Sequence, residues 1–224
     1  MRMTMMMMGT LALGSIGSGR AAEAKAETQD LESAKEATRH PAAVAPVARK
    51  LYLDVHDLGR GKVTAQAVAG AHQRDLAAQG KHGVSFKAYW VDAQQGRIYC
   101  LAEAPSGEAI NHVHKEAHGL LADKVAEVTG DNLSWAPAPG KKLYLDVHHF
   151  GAGKVTAQAV AAAHEKDLAA QAKHGVKYLN YWFDADSGTV MCLAEASSSD
   201  AALAVHKEAH GLMPESIDEV SEGR

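Results

Sequence analysis

Apolar and polar positions repeat on two scales along this chain. Locally, Leu51, Leu53 and Val55 alternate with Tyr52, Asp54 and His56, which is the period of a half-buried strand. From Val63 to His82 the period lengthens to that of a helix, with Ala67, Val68, Ala71 and Leu76 on its apolar stripe. Thr64 is placed to cap the start and Gly83 to end it. Two more strand patterns follow, Ser85–Asp92 and Arg97–Ala104, joined by the turn-forming AQQGR. Ser106 then caps a second helix that runs to His118 and stops at Gly119, and a short strand covers Lys124–Val128. The order β-α-β-β-α-β predicts a ferredoxin-like layer of four antiparallel strands with two helices on one face.

On the longer scale the whole pattern occurs twice. LYLDVHDLGRGKVTAQAVAGAHQRDLAAQGKHGV, from Leu51, returns as LYLDVHHFGAGKVTAQAVAAAHEKDLAAQAKHGV, from Leu143. The offset, 143 − 51 = 92, holds without a gap to Val128/Val220, and roughly six positions in ten are identical. The expected organisation is a signal peptide over 1–24, a tether over 25–49 and one ferredoxin-like copy over 50–129. A linker over 130–142, with Trp135 as an anchor, leads to the second copy over 143–224. Two like domains so tethered meet at an effective concentration in roughly the millimolar range.

The sheet face that the helices leave open is expected to carry Tyr144, Asp146, His148, Asn180, Trp182, Leu193 and Glu195 in the second copy, too aromatic for bare water. The fold class expected is therefore α+β, two tandem βαββαβ domains facing each other as an intramolecular pseudo-dimeric α+β barrel. Tyr52, Asp54, Trp90 and Glu103, with Tyr144, Asp146, Trp182 and Glu195, would line a shared, partly polar cavity.

Histidine changes the picture next. The chain has 13, and only His40 lies outside the repeats. Imidazole titrates near neutrality and binds borderline metals. The string HKEAH puts His114 and His118, and again His206 and His210, on one helix face. The first strand ends at His56 (His148 in copy two) at the same end of the sheet, so His56, His114 and His118, and His148, His206 and His210, are the candidate metal ligands. The competing reading is a hydrogen-bonded His114 under the sheet and His118 as a helix cap. HKEAH lacks the glutamate next to the first histidine that a zincin uses, which excludes that metalloprotease class. His72 with Asp75, and His164 with Asp167, read either as supported histidines or as surface polar pairs. His82 and His174 read as helix-end caps, and His112 and His149 have no counterpart in the other copy.

A net charge of −4 excludes a phosphate-neutralising stripe, so no nucleic-acid partner is expected. The start, MRMTMMMMGTLALGSIGSGRAAEA, has an apolar run too short to span a membrane and small residues after it, which fits export to the periplasm or beyond. Cys100 and Cys192 are equivalent positions, open to an interdomain disulfide or to two buried thiols. No phosphate-binding loop, Ser/His/Asp order or Cys-x2-Cys pair is present.

The string LYLDVH…VTAQAVA.AH..DLA.Q.KHGV…YW.D…G…CL.EA…VHKEAHGLM resembles a bacterial family known as a domain of unknown function and described as nickel-binding and ferredoxin-like. The likeness covers nearly all of both copies and is closer in the second. It implies a small metal-binding protein, and, because members look like single domains that dimerise, a fused version of such a dimer. Two functions are therefore expected: an exported, non-catalytic protein that binds nickel, or zinc or copper, through its histidines, or a small cavity enzyme of the α+β-barrel monooxygenase type acting on an aromatic ligand.

Overall fold

The computed structural model describes residues 48–130 and 137–224. The expected signal peptide, all of the tether but its last two residues, and Trp135 in the linker lie outside the described residues. The first repeat forms β1 (Lys50–Asp57), α1 (Ala65–Ala78), β2 (Ser85–Asp92), β3 (Arg97–Ala104), α2 (Gly107–Ala117) and β4 (Lys124–Glu127), with β5 (Thr129–Gly130) after it. The second forms β6 (Lys142–His149), α3 (Ala157–Ala170), β7 (Lys177–Asp184), β8 (Thr189–Ala196), α4 (Ser199–Ala209) and β9 (Ser216–Gly223). Among the described residues no helix is long and apolar enough to cross a membrane.

Local chemistry fixes the ends of these elements. The Thr64 and Thr156 hydroxyls accept from the N–H groups of Ala67 and Ala159, each at 3.2 Å, and Ser106 and Ser198 cap the other two helices in the same way. Gly83 and Gly175 end the α1 and α3 segments in the left-handed region, at φ +68° and +63°. In the β2–β3 turn, Asp92 Oδ1 accepts from the N–H groups of Gln94 (3.0 Å) and Gln95 (2.9 Å).

Pairing closes the sheet. Within each half the first strand lies between the third and fourth, and the second strand flanks the third. The fourth strand then crosses over. β9 pairs with β6 as far as Val220 and with β2 from Ser221 to Gly223. The first half does likewise: β4 pairs with β1, and β5, one residue on, pairs with β7. The order β4-β1-β3-β2-β9-β6-β8-β7-β5 therefore meets itself, giving a nearly closed antiparallel α+β barrel with the helices outside.

Two layers are buried. The barrel interior holds Leu53, Trp90 and Leu101 against Leu145, Trp182 and Leu193, with the two indole rings 4.8 Å apart. The outer layer, between sheet and helices, includes Tyr52, Ile98, Cys100, Ile110 and Val113, and its second-half equivalents. Trp90 and Trp182 thus lie on the inner face. Glu103 and Glu195 share it at the strand ends, half-exposed, where Glu103 pairs with Lys87 (3.0 Å) and Glu195 accepts from the Ala138 N–H (2.8 Å). Tyr52, Asp54, Tyr144 and Asp146 do not line the interior: they face the helices. The alternation along β1 and β6 is as expected, but the faces are exchanged. The packed middle of the barrel gives a charged group neither water nor a partner, so it takes the Leu/Val row, whereas the helices bring polar partners to the other row.

Candidate metal centre

Three elements of each half converge between sheet and helices. In the first, β1 presents Asp54 and His56, α1 presents His72 and Asp75, and α2 presents His114, with His118 at its C-cap. All but His118 are buried. His114 Nδ1 lies 3.0 Å from Asp75 Oδ1 and its Nε2 lies 3.4 Å from Asp54 Oδ2. His118 Nε2 reaches the same Asp75 oxygen at 3.2 Å, and His56 Nε2 stands 3.3 Å from Asp54 Oδ1. The result is a buried chain, His56–Asp54–His114–Asp75–His118.

The second half repeats it. His206 Nδ1 is 3.1 Å from Asp167, His206 Nε2 is 3.1 Å from Asp146, and His148 Nε2 is 3.3 Å from Asp146. His210 Nε2 lies 3.1 Å from Asp167 Oδ1 and 3.3 Å from His206 Nδ1.

Charge follows from these contacts. Burial drags the His114 imidazole down, but hydrogen bonds to Asp54 and Asp75, and their charges, outweigh it and lift His114 to about 9. His206 rises to about 9 for the same reason. Burial likewise pushes Asp54 and Asp146 upward, and hydrogen bonds from the neighbouring histidines more than reverse it, holding both below the usual carboxylate range. His118 and His210 are lowered, because burial outweighs their aspartate partners. Each half therefore pairs a cationic, doubly held imidazole with a neutral, less buried one four residues on.

Donor chemistry and spacing fit a divalent transition metal. Asp75, His114 and His118 bring ligand atoms within 4.8 Å of one another, as do Asp167, His206 and His210. Metal–nitrogen bonds of about 2.1 Å put adjacent ligand atoms about 3.0–3.4 Å apart. That is the range of the 3.1 Å and 3.3 Å separations around His206 Nδ1. Asp54 and Asp146 then hold the far nitrogen of the ligating ring, the orientation that metal-bound histidines generally have. A second grouping, Asp54, His56 and Cys100, lies deeper; the corresponding group in the other half is Asp146, His148 and His206. His56 Nδ1 and His148 Nδ1 are buried without a hydrogen-bond partner, and the equally buried Asp54 Oδ1 and Asp146 Oδ1 stand 3.3 Å from His56 Nε2 and His148 Nε2.

The structure thus brings all six candidate histidines into two clusters but does not arrange His56, His114 and His118 as one triad. His56 backs Asp54, and Asp75 joins the two helical histidines. His72 and Asp75 are buried, each 3% exposed, as is Asp167, and His164 is half-buried, so the surface-pair reading is corrected. The i,i+3 spacing of His72 and Asp75 was the available signal. Tyr178, whose hydroxyl lies 3.0 Å from His206 Nε2, had no signal. Cys100 and Cys192 are free and buried, and burial raises both thiols well above their ordinary range. His82 and His174 end their helices and meet Glu116 (3.0 Å) and Glu208 (2.9 Å).

No curated protein matches the chain. Among solved structures, SCO4226 from Streptomyces coelicolor A3(2) is 40% identical over 38% of this chain and 99% of its own, with a TM-score of 0.33. A chlorite dismutase from Candidatus Nitrospira defluvii (6% identity, 77% of this chain, 92% of its own, TM-score 0.44) is also similar. So is a putative monooxygenase from Fusobacterium nucleatum (11%, 78%, 93%, TM-score 0.43). The family model described as nickel responsive protein SCO4226-like matches twice, over residues 52–128 and 144–220. The chain therefore belongs to the SCO4226-like family, as a tandem duplication of the family's unit.

Proposed function

We propose that this protein is an exported, non-catalytic metal-binding protein that takes up nickel, one ion at Asp75/His114/His118 and one at Asp167/His206/His210. The observation that carries the reading is the recurrence, in both halves, of an Asp/His/His group, buried but for its half-buried last histidine, whose central ring is oriented from behind by a second aspartate. The description of the family as nickel responsive supports nickel as the ion, although imidazole sets also suit zinc and copper.

The same geometry supports a response to the ion. The Leu120 N–H donates to His118 Nδ1 at 3.2 Å, and the Leu212 N–H to His210 Nδ1 at 3.0 Å, so each ring carries its proton on Nε2, against aspartate. A metal held by Nε2 would require the proton on Nδ1, which would leave the leucine N–H without that acceptor and so couple the ion to the turns bearing exposed Leu120, Leu121, Leu212 and Met213.

The test is calorimetry with elemental analysis on untagged protein. Nickel should saturate at about two ions per chain, and His118→Gln with His210→Gln should abolish uptake. Binding of nickel, zinc and copper all weaker than about 0.1 mM, or roughly −5.5 kcal/mol, overturns the reading.

A further inference from the structure

A second kind of site lies where the two halves meet. A cavity of about 460 Å³ opens at the barrel end between β1, β3 and β4 of one half and β6, β8 and β9 of the other. It straddles the axis relating the repeats, because its lining comes largely in pairs 92 residues apart: Val55 with Val147, Asp123 with Glu215. In a dimer of identical chains every such group would appear twice. Here most pairs differ. Tyr99 stands opposite Met191, Arg97 opposite Thr189, and Asp218 takes the place that Ala126 holds in the first half. The metal clusters show the reverse, with Asp54, His56, Asp75, His114 and His118 each matched by an identical residue.

The difference leaves one side short of a cation. At one of the two seams, Lys124 of the first half sits on the Asp184 carboxylate of the second at 2.8 Å and donates to Ser187 Oγ at 3.1 Å. The equivalent of Lys124 is Ser216, and the equivalent of Asp184 is Asp92, so among the described residues that position has no counterpart of the Lys124 ammonium. Asp92 Oδ2 and the neighbouring Asp218 Oδ2 are both buried without a hydrogen-bond partner. Arg97 does not supply the deficit: its Nε donates to Asp57 at 3.2 Å, and its Nη1 remains 3.9 Å from Asp218. Leu53, Val55, Val147 and Met191 give the cavity an apolar wall beside Asp218.

We propose that this cavity binds one small organic ammonium per chain, a primary amine on an apolar body, with its charged head on Asp218 and its body against the Val147/Met191 wall. The volume is that of a small-molecule site. The bound head supplies, on Asp218 beside Asp92, the positive charge that Lys124 supplies beside Asp184 at the other seam. An anion is disfavoured, because both lining cations already hold carboxylates while Asp123, Glu215 and Asp218 would repel it.

The test titrates hexylamine, hexanol and hexanoate into the full untagged chain at pH 7.5, with and without nickel. Hexylamine is expected to saturate at one per chain, at least about tenfold tighter than hexanol, with no hexanoate binding. Asp218→Asn should weaken it at least about tenfold. Ser216→Lys, which copies the Lys124–Asp184 ion pair of the other seam, should abolish amine binding and raise the melting temperature. Hexanol or hexanoate binding as tight as hexylamine, no saturable hexylamine binding, unchanged amine affinity in Ser216→Lys, or displacement of the amine by nickel would each overturn the proposal.

Discussion

The two candidate metal clusters share their Asp/His/His donors, yet their surroundings differ. In the second, the Tyr178 hydroxyl lies 3.0 Å from His206 Nε2; at the equivalent place in the first, the Phe86 ring tilts over His114 with nothing to offer its nitrogens. Phe150 stacks on His148 with the ring planes within 5°, where the first half has Leu58. The open space beside the cluster is about 80 Å³ in the second half and about 40 Å³ in the first. The ring that would ligate through Nδ1 is therefore held from behind by two groups in one half and by one, at a longer 3.4 Å, in the other. Identical ligands need not mean identical sites. The second is expected to bind nickel more tightly, because its imidazole is fixed before the ion arrives.

The largest effect should come from breaking the clusters one at a time. Asp75→Asn should remove one of two nickel equivalents, weakening its own site more than about hundredfold and leaving the other unchanged; Asp167→Asn should do the converse. Loss of both ions from either variant, read by elemental analysis, would show that the halves do not act independently.

Acidity should act next, and on both sites alike. His114 and His206 are raised to about 9 in the folded metal-free protein, above the unfolded value of about 6.5. Their contribution to stability is therefore fully present below about 6.5 and lost as pH rises through about 9. The metal-free melting temperature should fall across that window. Nickel must displace the same proton, so its affinity should instead climb by up to about tenfold per pH unit until about 9. Affinity levelling off just above 6.5 would refute the double-aspartate clamp.

Exchanging the neighbours sharpens the comparison further. Tyr178→Phe should weaken the second site by about tenfold and bring it to the level of the first, while Phe86→Tyr should strengthen the first. Competition titrations that leave the two sites unequal in Tyr178→Phe would assign the difference elsewhere. The smallest change is expected from Phe150→Leu, about twofold, because it alters packing on His148 and no ligand.

Much of this was legible from the chain because it is local. The caps Thr64 and Ser106, the strand order and the paired histidines of HKEAH all depend on neighbours a few residues apart. The inner and outer faces of β1 were not legible. Alternation tells which residues go together, but not which row meets a sealed barrel and which meets helices bearing His114 and Asp75. Asp75 was hidden for a related reason. On one helix, His72 and Asp75 look like an exposed polar pair; only the docking of α2 against α1 turns the carboxylate inward, between two rings.

The crossing of β4/β5 and β9 has a consequence for folding. Each fourth strand begins on its own half and finishes on the other, so neither half has a complete sheet when alone. Unfolding should be one cooperative event across both repeats, with no stage at which one half is intact and the other is not. As both partners lie on one chain, assembly is unimolecular. The metal-free protein should hold its melting temperature on dilution, where a dimer of separate chains would lose it.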